Sequence, residues 1–114
     1  RALIGLGRGF QRRMLEAFRV PPEEKRDRFD EALDRMLARW SEGVARADGF
    51  APHQRPHPPL AVAAFGAKGL AQAARRALPY LASPIETVAQ IEENQQRHRA
   101  GLPDGAPTPL SLVM

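Results

Sequence analysis

The chain has 114 residues, of which 43% are hydrophobic and 26% are charged, with a formal net charge of +4. This length fits one domain or part of one, and no apolar run approaches the roughly 18 residues that a membrane span needs. The chain has no cysteine, which excludes disulfides and thiolate metal sites and is compatible with the cytoplasm. Basic residues are spread among acidic ones rather than clustered, so we expect neither nucleic acid nor a membrane as a partner.

The first half of the chain predicts one strand and two helices. Residues 2–6 are apolar and strand-like, and glycines alternate as far as residue 9, which indicates close approach of another backbone or of a ligand. Residues 11–18 predict one or two helical turns. A longer helix is predicted over Pro22–Trp40 because apolar residues recur there at helical spacing. Glycines and prolines then predict a loop over residues 41–59.

The most informative segment combines a strand, a glycine turn and the start of a helix. Leu60–Phe65 is an unbroken apolar run, typical of a strand buried on both faces of a parallel sheet. Gly66 and Gly69 flank Lys68 where the next helix, over residues 67–77, begins. Such a turn presents several unpaired backbone N–H groups together, which suits a phosphate. The same residues are also compatible with an ordinary tight corner between a strand and a helix.

A second strand and a second turn follow. Residues 78–82 predict a short strand, and Ser83–Glu86 is a predicted capping box, with serine at the N-cap and glutamate three residues later. The helix that begins there is predicted to run to about Arg99 and to stop at Gly101. Residues 109–114 predict the beginning of another strand.

Strands therefore alternate with helices, which predicts an α/β fold with parallel strands and right-handed crossovers. The pattern alone does not separate an open sheet from a barrel, but the spacing fits a (β/α)8 TIM barrel, of which four strands are half. Because strand-like segments stand at both ends, we expect residues 1–114 to be a single partial domain that is truncated at both ends. Half a barrel exposes two sheet edges, so we expect this segment alone to be aggregated, molten or oligomeric.

The histidines and the tryptophan are not predicted to be site residues. His53 and His57 lie four residues apart, but the surrounding prolines exclude a helix and no carboxylate is placed to complete a metal site. His98 lies in the last turn of a predicted helix, where a cation is favoured. Trp40 ends an apolar stripe, where packing is expected rather than ligand stacking. No metal site is therefore predicted.

Several segments, in this order, resemble the bacterial luciferase-like flavin-dependent monooxygenases: GLGRGF at residues 5–10, RFDEAL at 28–33, QRPHPPLAVAA at 54–64, LPYLASPIET at 78–87 and EENQQRHR at 92–99. The resemblance covers nearly the whole chain. It implies a (β/α)8 barrel, here from about its fourth strand to the start of its seventh. It also implies an enzyme that uses reduced FMN, or the deazaflavin F420 in some branches, with O2 acting on a small organic substrate in the FMN enzymes.

The resemblance implies a cofactor site at the C-terminal ends of the strands. It matches Arg8 to a basic residue, and residues 65–69 to a turn, that hold the flavin phosphate. It matches Ala82, Ser83 and Pro84 to residues beside the isoalloxazine. The turn lacks the hydroxyl side chains common in the family. The catalytic histidine of the luciferases belongs to an earlier strand, so no catalytic residue is predicted here. The expected cofactor-binding residues are Arg8, Phe65, Gly66, Ala67, Lys68, Gly69, Ala82, Ser83 and Pro84.

Three functions stay open. The chain is expected to be the central part of a cytoplasmic flavin-dependent monooxygenase, inactive alone. It is alternatively part of an F420-dependent oxidoreductase or of a non-catalytic flavin-binding protein with the same fold. The third possibility is a cofactor-free α/β interaction module. For the full-length monooxygenase, the expected partners are flavin, a small-molecule substrate, a flavin reductase and further copies of the same protein.

Overall fold

The computed structural model describes residues 2–109 and 112–113, and within them it contains four strands and four helices. The chain forms two compact units. Unit 1 is Arg8–Pro59 with the N-terminal Ala2, and unit 2 is Leu3–Gly7 with the chain from Leu60 onward. In chain order the elements are β1 (Ile4–Gly7), α1 (Arg12–Ala17), α2 (Lys25–Arg46), β2 (Leu60–Ala63), α3 (Gly66–Ala74), β3 (Tyr80–Ala82), α4 (Val88–Ala100) and β4 (Leu112–Val113).

Unit 2 is built on a parallel sheet whose four strands lie in sequence order. β1 pairs with β2, β2 with β3, and β3 with β4, all in parallel. The register places Gly7 opposite Ala63 and Ala63 opposite Leu81. Leu60 and Val62 of β2 are at most 2% exposed, which confirms the predicted buried strand, although it ends two residues earlier than predicted.

Helices α3 and α4 cover the same face of this sheet. Ala64, Tyr80 and Ala82 form one core cluster with Leu70 of α3, and Ile91 of α4 packs against it. A doubly wound sheet would carry helices on both faces and reverse its strand order, whereas a barrel has sequential strands with all helices outside. The chain is therefore part of a (β/α)8-type α/β fold, and the predicted fold class is confirmed.

Unit 1 contains α1 and the long helix α2. The predicted loop is wrong over residues 41–46, because α2 continues to Arg46. Gly43 is not a helix breaker here: it is buried, and a Cβ on it would lie 2.8 Å from backbone atoms of Phe50 and Ala51. The chain passes so close that only glycine fits. The helix ends where Ala47 takes a left-handed conformation, with φ 52°. None of the described helices, α2 included, is long and apolar enough to cross a membrane.

The start of α4 also differs from the prediction. A helix beginning at the Ser83 capping box is wrong, because α4 begins at Val88. The capping box is formed by Thr87 and Gln90: Thr87 Oγ1 accepts from the Gln90 N–H at 3.3 Å, and Gln90 Oε1 accepts from the Thr87 N–H at 2.8 Å. The predicted stop at Gly101 is confirmed.

The ends of the other elements of unit 2 shift by a few residues. α3 ends at Ala74 rather than at residue 77, and β3 begins at Tyr80 rather than at residue 78. The strand predicted over residues 109–114 is confirmed at Leu112–Val113, where β4 pairs with β3. Residues 110, 111 and 114 of that prediction lie outside the described residues.

Candidate functional site

The C-terminal ends of β1, β2 and β3 lie at one edge of the sheet, because the strands are parallel and in register. In parallel α/β folds, ligands bind outside the carboxyl ends of the strands. Two turns of unit 2 lie at this edge. The glycine turn (Phe65–Gly69) joins β2 to α3, and the serine turn (Ser83–Glu86) follows β3.

The glycine turn leaves the N-terminus of α3 without a cap. Phe65, the N-cap residue, is extended, and in the described part of the chain no side chain bonds to it as a cap and the first turn of α3 holds no acidic residue. Gly66 has φ 70°, and a Cβ on it would meet nothing within 4 Å, so the space beside the turn is open. Uncapped N–H groups at the positive end of a helix dipole favour an anion. The turn therefore has the chemistry of a phosphate-binding site.

The predicted residues of the glycine turn differ in exposure. Phe65 is 52% exposed, and Gly66, Ala67 and Lys68 are also exposed, whereas Gly69 is buried. Lys68 places a cation in the first turn of α3, at the end where the dipole repels it. A bound anion would offset that repulsion, and this second feature also favours an anion at the turn.

The serine turn is held by the carboxylate of Glu86. Glu86 Oε2 accepts from the Ser83 N–H at 2.5 Å, while Oε1 accepts from the Tyr80 hydroxyl at 2.5 Å and from Asn94 Nδ2 at 2.7 Å. The Glu86 N–H in turn donates to the Ser83 carbonyl at 3.1 Å. The glutamate predicted as the second half of a capping box thus makes the bond to the Ser83 N–H, but it anchors an isolated turn rather than starting a helix.

Tyr80 is the buried member of this network. Its side chain is fully buried, and burial, followed by the hydrogen bond to Glu86, raises the pKa of Tyr80 to about 12. The phenol therefore stays protonated and donates to the carboxylate across the physiological pH range. Reasoning from the sequence missed the roles of Tyr80, Glu86 and Asn94 in this site. A signal was present, because an alternating tyrosine in a buried strand needs a polar partner for its hydroxyl.

The predicted residues after β3 are divided between the core and the edge. The side chain of Ala82 lies in the core cluster beneath α3 and α4, so only its backbone is at the edge. Ser83 is half-buried and Pro84 is exposed. Two large apolar side chains beyond them are also exposed: Ile85 at 81% and Val88 at 73%. The edge therefore combines hydrogen-bonding groups with an apolar surface.

Arg8 follows β1 directly but belongs to unit 1. Its side chain is half-buried, and burial, followed by repulsion from Arg26, lowers the pKa of Arg8 from its ordinary value, while attraction to Asp30 partly opposes this shift. Arginine remains charged at neutral pH even so.

Two histidines, His98 and His57, have structural contacts. His98 is 2% exposed, and its Nε2 lies 2.9 Å from the Leu78 carbonyl oxygen, which confirms a structural role. His57 stacks on Trp40 with ring centroids 5.6 Å apart, beside an apolar cavity of about 530 Å³ in unit 1. Within the described ranges, no group of three or more His, Asp or Glu side chains is arranged to hold a metal ion.

A parallel sheet with its strands in sequence order and its helices on one face defines a (β/α)8-type protein, a class in which ligands bind at the C-terminal edge of the sheet. The family model of the luciferase-like monooxygenases matches residues 1–111, and the chain belongs to this family. The crystal structure of monooxygenase RslO1 from Streptomyces bottropensis is similar, with a TM-score of 0.67 and 27% sequence identity over 85% of this chain and 33% of that one. The chain thus spans about a third of the length of that monooxygenase. No curated protein matches the chain significantly.

Proposed function

We propose that the protein carrying this chain is a monooxygenase that uses reduced FMN and O2 to oxidise a small organic substrate. Family membership and the likeness to a monooxygenase support an oxidation reaction. The observation that carries the flavin assignment is the open, uncapped N-terminus of α3 at Gly66. In this proposal the chain supplies part of the cofactor site and is inactive alone. A separate cytoplasmic flavin reductase supplies the reduced cofactor, and the full-length enzyme is a homo-oligomer.

The proposed phosphate site consists mainly of backbone donors. The N–H groups of Gly66, Ala67 and Lys68 hold the phosphate, with the Lys68 ammonium adding positive charge. The flavin-binding role that the resemblance implies for Arg8 stays a separate prediction. The hydroxyl group of Ser83 and the ring of Pro84 flank the isoalloxazine. FMN, when bound, would supply the electrons that activate O2; the residues of this chain bind it and orient it.

The first experiment measures FMN affinity by the quenching of FMN fluorescence on binding to the longest natural polypeptide that contains this chain. Gly66→Ala places a methyl group in the open space where the phosphate is proposed to lie, and we expect a loss of affinity of about tenfold or more. Gly105→Ala is the matched control, because Gly105 also has positive φ, at 75°, with nothing within 4 Å of an added Cβ. Equal affinities of the two variants would contradict the phosphate assignment.

The charges are tested in the same assay. Arg8→Ala is expected to weaken FMN binding by about tenfold, as for loss of one charge-assisted hydrogen bond. Arg13→Ala, an exposed arginine of α1, is the control and should leave the affinity unchanged. Unchanged affinity in Arg8→Ala would remove Arg8 from the site while leaving the glycine turn in place.

The reaction is tested by oxygen consumption that depends on NADH, FMN and an added flavin reductase. Consumption coupled to oxidation of an organic substrate supports the monooxygenase. Binding of FMN without oxidation of the organic substrate would indicate a passive flavin-binding protein, because free reduced FMN consumes O2 by itself, and preferential binding of F420 would indicate the deazaflavin branch. Binding of neither cofactor would contradict the proposed function.

A further inference from the structure

We propose that Glu86 is a positioning residue, which, held by Tyr80 and Asn94, fixes the serine turn so that Ser83 presents its hydroxyl group to the cofactor. The inference rests on the proposed function for the identity of the ligand. The geometry of the turn stands on the contacts of unit 2 alone.

The carboxylate of Glu86 connects three separate parts of unit 2. Oε1 accepts hydrogen bonds from the Tyr80 hydroxyl of β3 and from the amide group of Asn94 in α4, and Oε2 accepts from the backbone N–H of Ser83. Asn94 Nδ2 also lies 3.4 Å from the Tyr80 hydroxyl oxygen, so both donors are oriented by each other as well as by the carboxylate. A charged acceptor with donors on both oxygens has a fixed orientation. The turn is therefore fixed relative to both β3 and α4.

This network engages the main chain of Ser83 and leaves the hydroxyl group for a ligand. The Ser83 N–H donates to Glu86, and the Ser83 carbonyl accepts from the Glu86 N–H at 3.1 Å. Ser83 Oγ accepts from the Ile85 N–H at 3.4 Å, a long bond in which the hydroxyl hydrogen is not used. Ser83 itself lies one residue beyond the end of β3, at the C-terminal edge of the sheet.

His98 provides a comparison within the same helix. Its ring nitrogen contacts the Leu78 carbonyl oxygen, which ties the C-terminal end of α4 to the segment just before β3. Glu86 and Asn94 tie the N-terminal half of α4 to the end of the same strand. The two contacts hold the same pair of elements together, but only the second lies at the edge where ligands bind.

The experiment compares Glu86→Gln with His98→Gln in the longest natural polypeptide that contains this chain. Glu86→Gln replaces one carboxylate oxygen by an NH2 group, which then faces one of the N–H or O–H donors that the carboxylate accepts from. We therefore expect Glu86→Gln to weaken FMN binding about tenfold. His98→Gln is expected to lower the denaturation midpoint but to keep FMN affinity within about twofold. If FMN affinity falls equally in both variants at equal loss of stability, Glu86 is merely structural and the inference is overturned.

A double-mutant cycle shows whether Glu86 acts through Ser83. Ser83→Ala removes the hydroxyl group, and in its background we expect Glu86→Gln to change FMN affinity by less than about twofold. Additive losses would overturn the inference, because Glu86 would then act by another route.

A readout without cofactor separates this inference from the proposed function. Hydrogen exchange at the Ser83 amide, followed by NMR, should be faster in Glu86→Gln than in His98→Gln, because only the first replaces the carboxylate that accepts from that N–H with a neutral amide, which has one oxygen for three donors. Faster exchange without FMN binding by the native protein would support the fixed turn but refute the flavin. Equal exchange in the two variants would overturn the inference even if FMN binds.

Discussion

Alkaline pH should destabilise unit 2 through the side chain of Tyr80. Burial and the bond to Glu86 raise the pKa of Tyr80 to about 12 in the folded chain, whereas an exposed tyrosine titrates near 10. As the pH rises, the unfolded state loses its proton first, so the stabilisation is fully present below about pH 10 and is lost between about pH 10 and 12. Two pKa units correspond to about 2.7 kcal/mol, of which about 2 kcal/mol should be lost by about pH 11.5.

Tyr80→Phe isolates this effect, because it keeps the ring and removes the group that titrates. At neutral pH the variant should be less stable by about 1–3 kcal/mol, since one donor to the Glu86 carboxylate is lost. Urea denaturation at about pH 9 and about pH 11.5 should show that the advantage of the native protein shrinks by about 2 kcal/mol.

Tyr80 is the only tyrosine of the chain, so the difference in tyrosinate absorbance between the native protein and the variant reports its titration. Parallel losses of stability in the two proteins, or a midpoint near 10 in the difference titration, would refute the reasoning.

Three further predictions concern Gly43, the cap of α4 and an acidic residue of unit 1. Gly43→Ala should lower the free energy of unfolding by about 1–2 kcal/mol, because the overlap of the new methyl group with the backbone outweighs the gain in helix propensity. Gly49→Ala is the control and should be nearly neutral, because a Cβ at Gly49 has nothing within 4 Å. Equal effects of the two substitutions would contradict the close passage of the chain at Gly43. Thr87→Ala should lower the free energy of unfolding by about 1 kcal/mol, and Ser83→Ala should lower it less. If urea denaturation gives the reverse order, the helix begins at Ser83 instead. The N–H of Phe50 and, more weakly, Arg39 lower the pKa of Asp48. Asp48 therefore stabilises the folded state above the pKa that it has in the unfolded chain, and this stabilisation is lost as the pH falls. Asp48→Asn should weaken the acid dependence of the free energy of unfolding, and an unchanged dependence would contradict this.

The order of the elements was predictable because its signals are local. The buried run of β2 and the glycine at the start of α3 each lie within a few residues of the structure that they determine. Gly66 needs its positive φ to turn from strand to helix, and that requirement is visible in the sequence as a glycine after an apolar run. The glycine turn was therefore placed correctly without knowledge of the fold.

The remaining features depend on contacts that the sequence does not reveal. Gly43 would ordinarily suggest the end of a helix, but it is retained inside α2 because Phe50 and Ala51 pass against it. Ser83–Glu86 and Thr87–Gln90 are two consecutive capping boxes by sequence, with nothing local to choose between them. The choice is made by tertiary structure, because Tyr80 and Asn94 hold the carboxylate of Glu86 and leave Thr87 to begin α4.

Under the proposed function, the C-terminal edge of unit 2 suits a nucleotide-like ligand better than a simple anion. The open N–H groups at Gly66 would suffice for free phosphate, but they would not account for the large apolar side chains exposed at the same edge. Phe65 precedes the glycine turn, while Ile85 lies in the serine turn and Val88 starts α4, and each is more than half exposed. Apolar groups gathered beside a polar site are typical of ligand binding, because leaving them in water costs free energy that a bound ring recovers. A flavin mononucleotide carries both a phosphate and a large planar ring, so one ligand would satisfy both parts of the edge.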